Sequence, residues 1–247
     1  MKEKKVRIDQ LVVNRGLALS RSRAASLILS GVVMCDDSVV SKAGYLVEPS
    51  SKIKILKPDH PWVSRGGIKL DYALKKFGYK VPGVVAVDVG ASTGGFTDVL
   101  LQHGAKKVYA VDVGYGQLSW KLRKNSRVVV MERINSRYIS DISFEDLINF
   151  IVCDVSFISI KKALPSVLNL SVKGSRLVAL IKPQFEVEKK DVQRGGVVRD
   201  NRLQNNVCEK INSWLEEDMH WLVEGIIPSP IEGPAGNKEF FIAAVKK

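Results

Sequence analysis

GVVAVDVGASTGGFTDVLLQHG (83–104) is the stretch that decides the fold. Its first eight residues are an apolar run that ends in Asp88-Val89-Gly90, the pattern of one buried strand. A glycine-rich turn through Gly94 and Gly95 then opens a segment that reads as a helix. The same pattern recurs downstream. KKVYAVDVG (106–114), RVVVMER (127–133), FIVCDVS (150–156) and SRLVALIKP (175–183) read as four more buried strands. Helical segments are expected at 115–124, 143–149 and 160–170, and again at 201–220. Strands alternating with helices predict an α/β fold with a doubly wound, mostly parallel sheet. WLVEGIIPSPI (221–231) and KEFFIAAVKK (238–247), joined by a Pro/Gly-rich loop, predict an antiparallel hairpin that closes it.

Residues 1–56 follow a different pattern. RIDQLVVNRGL carries Ile8, Leu11 and Val12 at helical spacing. Ser20 is a good N-cap for a second helix with Ala24, Ala25, Leu27 and Ile28 on one side, and Gly31 is placed to end it. Two short strands around Asp36-Asp37 and a third in SKIKIL (51–56) complete a small α+β module. KPDHP (57–61) reads as a connector. The expected division is a first domain over 1–58, a linker over 59–64 and a second domain over 65–247.

The formal charge of +12 points to a polyanionic partner, most simply nucleic acid, although a surplus kept for solubility would look the same. The basic residues concentrate at the start. Lys2, Lys4, Lys5, Arg7, Arg15, Arg21 and Arg23 are opposed there only by Glu3 and Asp9. Cys35, Cys153 and Cys208 form neither a CxxC pair nor a zinc pattern with histidine, so reduced thiols, no metal and a cytoplasmic setting are expected. No apolar run approaches the roughly 20 residues needed to span a bilayer.

Ligands of such sheets bind at the carboxyl ends of the strands. That places Asp88, Gly90, Ser92, Thr93, Gly94 and Gly95 at the mouth. The spacing is not that of a dinucleotide site, because Ser92 stands where the second glycine belongs. Asp112 closes the second strand, where an acid can accept hydrogen bonds from ribose hydroxyls; alone it would read as a turn or cap residue. Glu132 and Asn135 follow the third strand and reach either an adenosine or only their own turn. Phe96 either borders the same site or packs the first helix on the sheet.

VDVGASTGGFTDVLLQ (87–102) with VYAVDVGYGQL (108–118) resembles an S-adenosylmethionine-dependent methyltransferase. Together with SRGGIKL (64–70), DVSFIS (154–159), LIKPQFE (180–186) and GNKEFF (236–241), taken in order, the chain resembles the TlyA/FtsJ-like ribosomal RNA 2′-O-methyltransferases, also called hemolysin A-like. RIDQLVVNRGLALSRSRAASLILSGVV (7–33) resembles the S4 RNA-binding domain that this family carries in front of a Rossmann-like catalytic domain. The resemblance implies S-adenosylmethionine as cofactor, ribosomal RNA or ribosomal subunits as partner, and a cytidine ribose as target. It also implies a Lys-Asp-Lys-Glu tetrad, which falls on Lys69, Asp154, Lys182 and Glu239.

The residue types suit that chemistry. A ribose 2′-hydroxyl is a weak acid, and a lysine can take its proton only when its pKa falls to about 7–8 through burial or a nearby cation. Lys182 is assigned as proton acceptor, with Lys69, Asp154 and Glu239 orienting it and the ribose. Read alone, Lys182 is a strand-end residue reaching to solvent. Arg7, Arg21 and Arg23 are expected to meet RNA phosphates, with Arg65 and the loop KKDVQRGGVVRD (189–200) as a further clamp or a plain connector. Competing readings are a membrane-active hemolysin, a non-catalytic RNA-binding assembly factor, and a base methyltransferase. The last calls for a cysteine nucleophile or an Asn/Asp-Pro-Pro-Tyr-type motif where this chain reads DVSF.

Overall fold

The computed structural model describes residues 4–18, 20–56, 60–141 and 144–247. Packing divides the chain into two compact units, Met1–His60 and Pro61–Lys247.

The first unit comprises β1 (Val6–Arg7), α1 (Ile8–Asn14), α2 (Arg21–Leu29), β2 (Val33–Cys35), β3 (Ser38–Val39), β4 (Leu46–Val47) and β5 (Ile53–Ile55). Ser20 caps α2 by accepting the Arg23 N–H at 3.2 Å. Asp36 and Asp37 both take left-handed φ, 46° and 66°, as a tight hairpin turn between β2 and β3 requires. The expected third strand, β5, pairs antiparallel with β2. The β1–β4 pair was not legible in the sequence, because each strand is two residues long. Ile8, Val12, Ala24, Ile28 and Val33 are fully buried and form the centre of a separate core.

The second unit is built from α3 (Gly66–Phe77), β6 (Val85–Val89), α4 (Gly95–Gln102), β7 (Lys107–Asp112), α5 (Trp120–Arg123), β8 (Val128–Glu132), β9 (Phe150–Cys153), α6 (Ile160–Ala163), α7 (Pro165–Leu170), β10 (Arg176–Ile181), α8 (Asn201–Ser213), β11 (Trp221–Pro228) and β12 (Phe240–Lys246). Its seven-stranded sheet has the order β11-β12-β10-β9-β6-β7-β8. The five strands from β8 to β10 are mutually parallel, and β12 runs antiparallel to both β10 and β11. Every residue of β6 is buried, and so is every residue of β9. This explains why both read as unbroken apolar runs rather than alternating ones. The order of connection reverses between β6 and β9, which puts the crevice for ligands at their carboxyl ends.

Three expected helices differ. Residues 144–149 form no helix, and 142–143 lie outside the described residues. Asp146 accepts hydrogen bonds from Lys107 Nζ and Tyr109 Oη, and Asn149 Oδ1 accepts the Val85 N–H, so side chains tie this segment to β7 and β6 in place of helical bonding. The expected helix over 160–170 is two helices, because Pro165 lacks the N–H that would continue the first. Within 115–124 only Trp120–Arg123 is helical. The expected linker is also largely structured. Residues 57–59 lie outside the described residues, but the Trp62 side chain packs on Gly67 and the Val63 N–H donates to Asp98 Oδ2 at 2.9 Å.

Asp88 lies in the middle of the buried sheet, with Oδ2 accepting the Thr97 hydroxyl at 2.6 Å. Burial pushes its carboxyl up from 3.8 to about 7, opposed by the Thr97 hydrogen bond and aided by the charges of Asp154 and Asp112. The folded state therefore holds a proton that the unfolded chain releases at lower pH. The stability this contributes is complete below about pH 4 and is lost as pH rises through about 7. In Asp88→Asn, the fall in melting temperature between pH 5 and pH 8 is expected to be smaller than in the wild type, as measured by thermal melts at both pH values.

Candidate active site

The glycine-rich turn meets the end of β9 closely. Gly90 has φ 83°, and a Cβ there would lie 2.9 Å from the Asp154 carbonyl oxygen and 3.1 Å from Val155 Cα. A side chain cannot fit between these two strand ends, so Gly90 is required both by conformation and by space. Two hollows open around the junction. One of about 410 Å³ is lined by Arg65, Lys69, Thr93, Gly95, Phe96, Lys182 and Gly233, among others. Another of about 530 Å³ is lined by Asp112, Gln117, Asn135 and Phe157, among others. Both share Gly90, Ser92, Asp154 and Ser156, so they are two lobes of one cleft.

Two lysine–carboxylate pairs stand at the smaller lobe, three of their four residues in its wall. Lys182 Nζ lies 2.5 Å from Asp154 Oδ1 and donates to Ser156 Oγ at 2.9 Å. Lys69 Nζ donates to Glu239 Oε2 at 2.5 Å, with both side chains buried. Asp154 and Lys182 immediately follow β9 and β10, and Glu239 immediately precedes β12. Lys69 comes from α3, which no local pattern placed at the cleft. The structure therefore brings together all four positions of the expected tetrad as two ion pairs, with Lys69, Asp154 and Lys182 in the cleft wall.

The expected cofactor residues divide. Gly90, Ser92, Thr93, Gly95, Phe96, Asp112 and Asn135 line the cleft. Asp112 is held by the backbone: Oδ2 accepts the Ser92 N–H at 2.8 Å and Oδ1 the Gly114 N–H at 2.7 Å. Each carboxylate oxygen retains a lone pair for a further donor. Asp88, Gly94 and Glu132 line neither lobe. Asp88 is sealed beneath the turn. Gly94 takes φ 94°, and a Cβ there would strike the Leu122 side chain. Glu132 points to Arg123 at 2.5 Å, and that pair holds its carboxyl below the usual range. Phe96 does both things expected of it: it borders the cleft and packs against Phe241. Arg65 reaches the backbone carbonyl of Glu232. In the first unit Arg7 and Arg21 both bind Asp9, and Arg23 bonds the ring and the carbonyl of His60.

Residues 62–246 match the FtsJ-like methyltransferase family, and residues 6–53 match the S4 domain. The chain belongs to the FtsJ-like methyltransferase family. It is 41% identical to the 16S/23S rRNA (cytidine-2′-O)-methyltransferase TlyA of Mycobacterium tuberculosis, over 97% of this chain and 89% of that one. It is also 41% identical to Hemolysin A of Brachyspira hyodysenteriae, over 95% of this chain and 98% of that one. A solved structure of a hemolysin-labelled protein from Streptococcus thermophilus superposes with a TM-score of 0.77 at 40% identity, covering 99% of this chain and 89% of that one. Among the described residues of this methyltransferase no helix is long and apolar enough to cross a membrane, and no group of three or more His, Cys, Asp or Glu is placed to hold a metal.

Three residues that sequence reasoning passed over shape the site. Ser156 gives Lys182 its second partner. Glu186 accepts the Ser159 hydroxyl at 2.6 Å and the Ile160 N–H at 2.8 Å, so the segment after Lys182 clamps the loop that carries Asp154 and Ser156. Burial raises the Glu186 carboxyl above its ordinary range. Gly233 lies against the Glu239 carboxylate. Its φ is not left-handed, so only the missing side chain matters, and a Cβ would meet Glu239 Oε1 at 2.1 Å. In sequence it is one more loop glycine. Gly233→Ala is expected to break the Lys69–Glu239 pair and reduce methyl transfer at least about tenfold, while leaving the melting temperature within a few degrees. Transfer assays and thermal melts on the same preparation check both.

Proposed function

We propose that the protein transfers a methyl group from S-adenosylmethionine to a ribose 2′-hydroxyl of ribosomal RNA, at a cytidine. The S4-like domain over 1–58 would bind the RNA and the domain over 65–247 would perform the transfer, in the cytoplasm where ribosomes are available. The observation that carries this reading is the pair of lysine–carboxylate contacts beside the Gly90 turn. The relatives' names supply the RNA and the nucleotide.

The residues fit the cofactor. The space kept open at Gly90, the held carboxylate of Asp112 and the polar side chains of Ser92 and Asn135 suit an amino-acid group and an adenosine at two ends of one cleft. When bound, S-adenosylmethionine supplies a methyl on a cationic sulfur, open to in-line displacement.

The remaining work falls to side chains of this protein. Lys182 would accept the 2′-hydroxyl proton as that oxygen takes the methyl. Asp154 and Ser156 hold that nitrogen in one orientation. Lys69, fixed by Glu239, presents positive charge to the oxygen as negative charge develops on it. Positioning supplies much of the acceleration, because both lysines are set before the substrate arrives. Cys153 offers no rival nucleophile for base methylation: it is fully buried, and burial pushes its thiol up to about 12.

The test is incubation with methyl-labelled S-adenosylmethionine and ribosomal subunits, followed by mapping of the label. Wild type is expected to label a cytidine ribose. Lys182→Ala is expected to lose transfer by about a thousandfold, within the range of general-base removal, while still binding S-adenosylmethionine in calorimetry. Label on a base would overturn the ribose assignment. RNA binding with no transfer by wild type would favour the assembly-factor reading, and leakage of liposomes the membrane-active one.

A further inference from the structure

In the first unit Asp9 counts against the basic charge of the sequence, yet it lies between two of the arginines. Its side chain is only 5% exposed, whereas those of Arg7 and Arg21 are 48% and 58% exposed. Arg7 donates from Nε to Asp9 Oδ1 at 3.1 Å and from Nη2 to Oδ2 at 2.9 Å. Arg21 donates from Nη2 to the same Oδ2 at 3.2 Å. Two guanidinium groups from different elements, β1 and α2, are thus fastened to one buried carboxylate. Hydrogen bonding from Arg7 holds that carboxyl below its ordinary range despite its burial.

A second feature restrains Arg7 independently. Its guanidinium lies over Gly44, where a Cβ would come within 3.2 Å of Nη1 and 3.4 Å of Cζ. The φ of Gly44 is not left-handed, so the turn itself does not demand glycine. The missing side chain makes room for the guanidinium to lie flat. Arg7 is then fixed on one edge by Asp9 with one face over Gly44, and among the described residues no partner engages its Nη1 edge. Among the described residues Arg21 commits a single N–H, to Asp9. A guanidinium presents its donors in a planar fork that matches phosphate oxygens.

We propose that Asp9 is a positioning residue that, with Gly44, sets Arg7 and Arg21 as one prearranged clamp for a phosphodiester of folded RNA. The proposal rests on the RNA-binding reading of the S4 domain and adds the reason an acid belongs there. Two free arginines would pay rotamer entropy on meeting a phosphate; held arginines have largely lost it already. The buried carboxylate carries one negative charge to organise two positive ones, so the clamp keeps a net positive charge.

The experiment uses the full chain and folded bacterial ribosomal RNA, with filter binding across a range of salt and methyl-transfer kinetics. Simple charge counting predicts that Asp9→Asn, which removes a negative charge, binds RNA more tightly. The clamp predicts the reverse: affinity falls about tenfold, on the scale of a lost charge-assisted contact. The slope of log affinity against log salt becomes shallower by about one ion. KM for RNA rises while kcat stays within about twofold. Gly44→Ala, which changes no charge, is expected to act in the same direction. Asp37→Asn makes the same charge change on the same unit, away from the clamp, and is expected to tighten binding slightly. If Asp9→Asn behaves like Asp37→Asn, the proposal is overturned. If Asp9→Asn does not fold, Gly44→Ala decides, and unchanged affinity there overturns it. If the Arg7→Ala/Arg21→Ala double variant binds RNA as tightly as wild type, the underlying RNA-binding reading fails instead.

Discussion

The catalytic unit depends on the approach of two strand ends. β6 and β9 are neighbours and parallel, and the chain leaves them toward opposite sides of the sheet. Such a divergence opens a crevice in any doubly wound sheet. Here Gly90 brings its walls into contact. A Cβ at that position would press on the carbonyl of Asp154 and on Val155 Cα, which are backbone atoms that cannot swing aside. The Asp154 N–H is bonded to the Val89 carbonyl at 3.0 Å, so a shift in the turn would carry Asp154 with it. Asp154 in turn faces Lys182. The glycine turn and the lysine pair are therefore one mechanical unit, although they are far apart in sequence.

The antiparallel strand is equally necessary, for a topological reason. The carboxyl ends of parallel strands supply Asp154 and Lys182 directly. A further parallel strand would bring its carboxyl end there too, far along its own length. β12 runs the other way, and its register sets Phe240 opposite Ile181, so the residue just before it, Glu239, arrives at the edge that Lys182 occupies. Glu239 then reaches Lys69 on α3. Burying Lys69, Lys182 and Glu239, with Asp154 partly exposed beside them, carries a cost: taking ions out of water is offset only by good pairing, and apolar residues of similar size often serve stability better. Such a cluster adds little to the stability of the sheet. Its placement at the ligand crevice is what the proposed chemistry requires.

Much of this was legible in the sequence, and the exceptions share a cause. The strands were read because burial on both faces leaves apolar runs; Asp154 and Lys182 each end such a run, which sets them at one cleft, but their place in a tetrad came from the resemblance. The helix expected at 143–149 failed because Asp146 and Asn149 spend their side chains on neighbouring strands, a tertiary effect that local periodicity does not register. Lys69 carried no local signal, and its assignment came from resemblance alone. Glu132 and Asp88 have partners that the sequence did not show, for the opposite reason. An acid at a strand end or inside a strand looks available until its partner is seen, and Arg123 and Thr97 lie at positions no spacing rule links to them. Gly233 shows the limit for glycine: with an ordinary φ, its requirement comes only from the carboxylate packed against it.

Asp9 extends this point from position to sign. Charge counted along a chain treats every acid as a subtraction, and for diffuse attraction to a polyanion that is correct. At contact distance the count loses its meaning, because what a phosphate meets is the direction of N–H groups, not a sum. A carboxylate buried to 5% exposure contributes little field at the surface once two guanidinium groups cover it, but it fixes where their free edges lie. The same logic operates in the catalytic unit, where Asp154 and Glu239 would cancel two lysines on paper and instead hold each at a defined atom. In both units an acid holds basic side chains at defined atoms, and the net charge of the protein records none of that geometry.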